Sequence, residues 1–536
     1  MKQKTNSSIF LLALISCIGI LLSFIFHFII HKNSGYPYNT FLFLPSDRFN
    51  DLLNMLKACD DLNPYFKSSY LGTSNYLPIA NLIYFVLSLI PHSLSLWIYL
   101  GIFSIAIFLF SLYFLKFIEN KSKRILVAFI FSFANYGFIY CFDRANLEAL
   151  IAILILFFLY FFIKNIHTYA IIFIALASAI KIYPLLFILL YLSEKKYKHA
   201  FQTLFLTVAL TVIPLFLFAG GFRQNFFFIL NGFELDLNTL SFVGVFEGNN
   251  NIMIQGSSLF CLIKIFCIKF NFGVSNLLSY YFLLVFFSSM FLVTYITLIE
   301  KILWRKMTII ISMIVAFPHI SFDYKLLLFL IPVLLFVSQY NKEKEPRINY
   351  YLISVIFGLL LIPKSYFYFD DIITTTSVSN DVSISSILNP MLILGLILIV
   401  VYSGIKEFDF SRFKTNLFSH FETMKQQLIY FSISIIVVTV YFYISKQAKK
   451  EYHTYKEHFL NAESDFKDKN YNMAILNYKK AYIIKPYRFQ LPLKIANAYD
   501  SIQEYDSAKL FYVKSLKIYP ECSEALTAIK NIEKVH

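Results

Sequence analysis

Two carboxylates, Asp47 and Asp51, stand at the head of an amphipathic segment in the run Leu44-Pro-Ser-Asp47-Arg-Phe-Asn-Asp51-Leu-Leu-Asn-Met-Leu56. From Phe49 onward the apolar Phe49, Leu52, Leu53 and Leu56 fall at i, i+3, i+4 and i+7, with Asn50, Asp51, Asn54 and Lys57 between them. That is the pattern of a helix lying on a membrane surface. Asp47 stands at its start, along the interface where a lipid headgroup would lie. A carboxylate there can take a proton from an incoming hydroxyl or can cap the helix, and the residues alone leave both open.

Cations that could face an anion are scattered further along. Lys181 lies in the apolar run Ala177-Ser-Ala-Ile-Lys181-Ile-Tyr-Pro184; an ionisable group at membrane depth is costly and reads as functional by default, with a structural ion pair as its alternative. Arg144 sits in Asp143-Arg-Ala-Asn146-Leu-Glu148, where it either pairs with Asp143 or Glu148 or serves a site. His319, Asp323, Tyr324 and Lys325 share the run Phe317-Pro-His319-Ile-Ser-Phe-Asp323-Tyr-Lys325, a buried turn or an anion contact. Arg223 reads as a loop anchor or a phosphate cation. The six cysteines lack metal-type spacing, and Asp60-Asp61 and Asp370-Asp371 lack histidine partners, so no metal site stands out.

The elements that must position these residues are membrane helices. The 536 residues are 58% hydrophobic, 19% aromatic and only 15% charged, which requires lipid as the main solvent. About 20 apolar residues cross the hydrocarbon, and on that ruler about thirteen spans fall near 9–31, 77–91, 94–117, 125–142, 149–163, 168–193, 200–219, 276–300, 307–319, 325–339, 348–364, 386–404 and 427–445. The segment 168–193, with Lys181 and Pro184, reads as one kinked helix or two half-helices. The first run is long and lacks a cleavage site, so it reads as a span rather than a signal peptide.

The net charge of +15 gathers in short loops and reflects the positive-inside bias rather than nucleic-acid binding. With the N-terminus in the cytoplasm, the loops 194–198, 301–306, 342–347 and 406–414 fall inside, and 32–76, 220–256 and 364–385 outside. The same parity puts Asp143 to Glu148 inside, away from Asp47, and the C-terminus outside.

After 445 the composition turns water-compatible. Tyr471, Ala474, Tyr478 and Pro486 recur as Tyr505, Ala508, Tyr512 and Pro520, each at the tetratricopeptide period of 34 (508 − 474 = 34). Ala462 and Ala496 hold the small-residue position, and Glu451–Phe459 and Glu524–Ile532 are expected as flanking helices. The expected architecture is therefore all-α: a polytopic bundle over 1–445 and a helical-hairpin tail over 446–536, either a spacer or a surface for a protein partner.

Ser46-Asp47 with its amphipathic helix, Asn63-Pro-Tyr65 and Tyr76-Leu-Pro78 resemble the opening of membrane glycosyltransferases of the GT-C superfamily, closest to glycosyltransferase family 87, whose members resemble polyprenol-phosphate-mannose-dependent mannosyltransferases. The segment around Lys181 and Pro184, the basic Glu194-Lys-Lys-Tyr-Lys198, Pro318-His319 with Asp323-Tyr324, and Asp143-Arg-Ala-Asn146 are similar to later motifs of that family. The resemblance implies a bacterial cytoplasmic-membrane enzyme that moves a sugar, by inversion, from a polyprenyl-phosphate donor to a lipid, glycan or protein acceptor outside the membrane. No cofactor is implied beyond the lipid-linked donor. Asp47 would be the general base and Asp51 its understudy. Lys181, Arg223, His319 and Lys325 would be the cations facing the leaving phosphate, since fixed charge placed where negative charge develops stabilises most, and Asp323, Tyr324, Arg144 and Asn146 would be further contacts. Two other classes compete. An O-antigen ligase or polymerase should carry Arg and His in one late outer loop, which 364–385 lacks, and a transporter should show inverted repeats, which the membrane part does not.

Overall fold

The computed structural model describes residues 2–25, 48–59, 63–65, 76–226, 229, 256–270, 272, 277–339, 347–364, 368–369, 382–408, 454–486, 490–518 and 522–535. Asp47, most of the three outer loops and the expected span at 427–445 lie outside them. The chain divides into two compact units: Met1–Leu71, Asn75–Phe222 and Thr239–Arg412 form one, and Gly72–Ser74, Arg223–Asn238 and Phe413–His536 the other.

The first unit is a helical bundle. It opens with α1 (Lys2–Ile25), α2 (Asn50–Ala58), α3 (Pro78–Ser88) and α4 (His92–Phe114), followed by α5 (Lys121–Phe133), α6 (Tyr136–Arg144), α7 (Glu148–Ile163) and α8 (His167–Ile180). A 3-10 turn, Tyr183–Phe187, leads into α9 (Ile188–Ser193), then α10 (Tyr197–Val212), α11 (Leu259–Lys269), α12 (Leu277–Thr294) and α13 (Leu303–Ala316). A second 3-10 turn, Asp323–Phe329, precedes α14 (Leu330–Gln339), α15 (Arg347–Leu361) and α16 (Ile384–Glu407). The strands described, β1 (Tyr368–Phe369) and β2 (Val382–Ser383), form a two-residue antiparallel ladder between α15 and α16.

Four of the described helices, His92–Phe114, Tyr197–Phe216, Leu277–Ile299 and Ser385–Glu407, are individually long and apolar enough to cross a bilayer, and α5 with α6 forms a fifth, bent by 57°. Their outer faces carry Trp97, Ile102, Ile105 and Leu109 on α4 and Phe201, Phe205 and Val208 on α10, all exposed. Apolar stripes of that size are stable only against lipid or another apolar surface. Inside the bundle, backbones approach closely through small residues, as membrane helices require. A Cβ on Gly19 of α1 would overlap Ile362, one on Gly358 of α15 would press on Ile15, and one on Gly137 of α6 would overlap the backbone of Leu327.

Polar contacts sort the helix ends into two sets. At one, Lys306 Nζ donates to Ser193 Oγ at 2.9 Å, Lys196 Nζ donates to Asn165 Oδ1 at 3.4 Å, and Arg305 makes a bidentate pair with Glu407 at 3.0 and 3.1 Å. This is the basic end. At the other, Asn63 Nδ2 donates to the Ala219 carbonyl at 2.5 Å, the Ser257 amide to the Ser321 carbonyl at 2.8 Å, and Lys181 pairs with Glu148 at 2.8 Å.

Two of the expected spans are corrected by this sorting. The segment 77–91 does not run from end to end: α3 has 11 residues, about 16 Å at 1.5 Å per residue, and stays beside α2, with Cys59 Sγ donating to the Asn81 carbonyl at 3.7 Å and Ser88 Oγ to the Cys59 carbonyl at 3.4 Å. The segment 168–193 runs twice. α8 starts at the basic end beside Lys196, stops at Lys181 at the other, and the 3-10 turn with α9 returns to Ser193. Pro184 is the physical cause, since it cannot donate to the preceding turn and disfavours helix at Tyr183.

In the C-terminal part of the second unit the described residues form five helices: α17 (454–467), α18 (Tyr471–Ile484), α19 (Gln490–Ser501), α20 (Tyr505–Ile518) and α21 (Ser523–Val535). Ala462, Ala474, Ala496 and Ala508 are fully buried where successive helices touch. Of the expected flanking helix at Glu451–Phe459, the described residues 454–459 are instead the start of α17, which carries Ala462.

Candidate functional site

The site forms where α2 meets the end of α6 and the turn that opens α7. α2 matches its expected amphipathic pattern, with Leu52 and Leu56 fully buried, but its start is unusual. Phe49 is the N-cap at φ 60°, ψ 9°, a left-handed conformation rare for a bulky residue. Its amide donates to the Asp143 carbonyl at 2.7 Å, and its ring packs edge-on against Trp97 and Phe142. A second left-handed residue, Ala145 at φ 49°, ends α6 directly opposite. Such strain costs about 1–3 kcal/mol each and collects at functional sites.

Between these strained turns the charges pair in order. Arg48 Nε reaches Asp143 Oδ1 at 3.3 Å. Arg144 bridges to Asp51 Oδ1, and Asn146 Nδ2 donates to Asp51 Oδ2 at 2.5 Å. Asn146 also sets up the next helix. Its Oδ1 accepts the Glu148 amide at 2.9 Å, which starts α7, while its carbonyl accepts the Tyr99 hydroxyl at 2.7 Å. Glu148, fully buried at the positive end of α7, accepts from Lys181 Nζ at 2.8 Å and from the Tyr183 hydroxyl. The helix dipoles favour this pair, a carboxylate at the start of α7 and an ammonium just past the end of α8. The ammonium of Lys181 also lies 5.5 Å from the Tyr324 ring, and that of Lys325 lies 5.2 Å from the Tyr183 ring.

Of the residues expected at the site, Asp51, Arg144, Asn146, Lys181, Tyr324 and Lys325 come together. Asp47 lies outside the described residues, and Arg48, which follows it, is already at the cluster's edge. Asp323 turns away from its neighbour Tyr324 into a separate buried nest, where Ser257 Oγ and Asn389 Nδ2 donate to its Oδ1 at 2.5 and 3.1 Å. That nest ties the turn at 318–323 to the end of the 220–256 loop and to α16. His319 packs edge-on against Phe282 at 5.8 Å. Arg223 is exposed and belongs to the second unit. Among the described residues no group of three or more His, Cys, Asp or Glu is placed to hold a metal ion.

One expectation from the sequence is corrected here. Asp143 to Glu148 are not remote from the surface helix, because Arg144 and Asn146 both bind Asp51. Arg144 bridges Asp51, while Arg48 reaches Asp143 and Lys181 pairs with Glu148. Sequence reading also missed the weight of Glu148 and Tyr183. The signal was available: a glutamate opening an apolar run of helix needs a cation, and Lys181 stands inside the next apolar run.

Beside the cluster, Arg48, Phe49, Ser104, Phe133, Phe138, Ile139, Phe142 and Asp143 line a cavity of about 480 Å³ between α4, α5 and α6. Its walls are largely aromatic and carry the Arg48–Asp143 pair. An apolar helical bundle gathers this buried charge at one end, and the family comparison makes the chain a membrane glycosyltransferase. The model of glycosyltransferase family 87 matches residues 75–293. No curated protein matches the chain. The matched segment holds Arg144, Asn146, Glu148, Lys181 and Arg223, while Asp47 and Asp51 precede it and His319 to Lys325 follow it.

Proposed function

We propose that the enzyme transfers a sugar from a polyprenyl-phosphate donor to an acceptor hydroxyl at the extracytoplasmic face of the membrane, with inversion. The observation that carries the reading is the convergence of Asp51, Arg144, Asn146, Glu148, Lys181, Tyr324 and Lys325 beside the surface helix that follows Asp47. Asp47 takes the acceptor proton as the hydroxyl oxygen bonds to the anomeric carbon. The bond from that carbon to the phosphate oxygen breaks, and its electron pair leaves with polyprenyl phosphate. The cations of the cluster stabilise the charge that develops on the leaving group. Asp51 acts as a positioning residue, its two oxygens held by Arg144 and Asn146.

The donor sugar is a hexose or pentose, with mannose first on the strength of the family. In this reading the second unit is a tetratricopeptide-type module for a protein partner, supported by its buried alanines at the 34-residue repeat. The test uses the full-length protein in lipid nanodiscs with labelled polyprenyl-phosphate sugars. Transfer with release of polyprenyl phosphate is expected, falling about 10²–10⁴-fold in Asp47→Asn, the range for loss of a general base. Undiminished transfer by Asp47→Asn overturns the base assignment, and absence of transfer from every such donor overturns the donor class.

A further inference from the structure

At the basic end of the bundle, opposite the charged cluster, two helices begin side by side. α7 and α9 are each followed by a left-handed residue, Asn165 and Lys195, both at φ 58°. The next amide bonds back to the last turn, from Ile166 to the Phe161 carbonyl at 2.9 Å and from Lys196 to the Tyr191 carbonyl at 2.8 Å. These turns are so short that α8 and α10 start at once on the N-caps Ile166 and Lys196, and neither start has a side-chain cap or an acidic residue in its first turn. The first amides of a helix lack intrahelical partners. Because α8 packs on α10, two positive helix ends favour an anion at one place.

Three rings at these starts need a partner. His167, first in α8, lies 4.6 Å from His199 in the first turn of α10, and Tyr191 stacks on His199 at 5.6 Å and meets His167 edge-on at 5.8 Å. His167 Nδ1, His199 Nδ1 and the Tyr191 hydroxyl are buried with no hydrogen-bond partner, and Tyr191 as a whole is fully buried against the half-buried histidines. Lys196 fixes what they can do. Its ammonium can only donate and reaches His167 Nε2 at 3.1 Å, besides Asn165 and Glu194, so the ring proton lies on Nδ1. His167 Nδ1 therefore has no lone pair for a metal ion. It and the Tyr191 hydroxyl are donors that lack an acceptor. Glu194 is the one carboxylate of the two loops and is taken by Lys196, while Lys164, Lys195 and Lys198 keep the surroundings positive. Further along, α8 exposes Tyr169 and Ile172, and α10 exposes Phe201, Leu204 and Phe205. Apolar surface thus continues from the donors along both helices.

We propose that the paired starts of α8 and α10 bind the phosphate of an anionic phospholipid in the leaflet at the basic end. His167 Nδ1, the Tyr191 hydroxyl and the first amides of both helices are its donors, and Lys196 is a positioning residue that holds the proton on Nδ1. Basic pockets between membrane helices attract such headgroups by charge; the placed donors add a fixed geometry, and the exposed aromatic and aliphatic side chains meet the acyl chains.

The test compares the affinities of the full-length protein in an uncharged detergent for three probes: dioctanoylphosphatidylglycerol, dioctanoylglycerol, which lacks the phosphate, and glycerol 3-phosphate, which lacks the chains. The wild type is expected to bind the phospholipid at least about tenfold more tightly than either of the others, the worth of one hydrogen bond to a charged group. Tyr191→Phe changes no charge and keeps the ring, so it should weaken phospholipid binding by about that tenfold and leave dioctanoylglycerol binding unchanged. Without lipid it should not lower the melting temperature, because the hydroxyl it removes has no partner. His167→Phe removes the second donor and should act in the same direction. Undiminished phospholipid binding in either variant overturns the proposal, as does an equal loss for dioctanoylglycerol, which marks lost packing. A wild type with no preference for the phospholipid over dioctanoylglycerol overturns the phosphate, and glycerol 3-phosphate binding as tightly as the phospholipid overturns the lipid as the occupant.

Discussion

Asp51 commits both carboxylate oxygens, one to Arg144 and one to Asn146. The same Asn146 starts α7 by accepting the Glu148 amide, so a change at Asp51 is felt at Glu148 and Lys181 through a single side chain. The two contacts fix the orientation of the Asp51 carboxylate. Asp51→Asn is therefore expected to slow transfer by misplacing the cluster, up to about a hundredfold for an ångström-scale shift, while Asp47→Asn slows it further. Rates of both variants, measured with the same donor, check the order. A larger loss in Asp51→Asn than in Asp47→Asn would make Asp51 the base. The residue types were legible in the sequence. Their partners were not, because each ion pair joins residues on different helices, as in Asp51 with Arg144, and hydropathy carries no information about such pairs.

At the scale of elements, the site depends on interruptions in otherwise apolar runs. Asn135 breaks 121–144 into α5 and α6: its side chain accepts the Phe138 amide at 3.4 Å as an N-cap, and the chain bends by 57°. The bend delivers Asp143 and Arg144 to α2. Read by hydropathy, 125–142 is one continuous span, since a single buried asparagine barely changes a window average. The amphipathic α2, by contrast, was legible because its period of polar and apolar residues is a local property. α6 also supports the turn that carries Tyr324 and Lys325, through the close approach of Gly137 to Leu327. Gly137→Ala forces that turn away or strains it, at a cost of about 1–3 kcal/mol for overpacking. The expected result is a lower melting temperature together with a raised KM for the donor. Unchanged values for both would show that the turn can shift without consequence for the site.

At the scale of the molecule, charge separates the two ends of the bundle, and two misread spans compensate each other. Counting 77–91 as a crossing and 168–193 as a single one leaves the total near thirteen, yet reverses every loop between them. That is why Asp143 to Glu148 read as remote from Asp47, while the later loops 194–198 and 301–306 still group correctly at one end, as Lys306 with Ser193 shows. The positive-inside bias predicts the cytoplasmic side for that basic end. Asn165 lies there with Lys196, although a simple count of spans puts it outside, and Ala219 lies at the opposite end, bound by Asn63. In a background without the native cysteines, Asn165→Cys and Lys195→Cys should react with a membrane-impermeant maleimide only after the cells are opened. Ala219→Cys, whose side chain is exposed, should react in intact cells. Labelling of Asn165→Cys from outside would restore the simple count and separate α7 from the arrangement that brings Glu148 to Lys181. Labelling of Lys195→Cys together with Asn165→Cys would invert the whole bundle, and the transfer reaction would then have to face the cytoplasm.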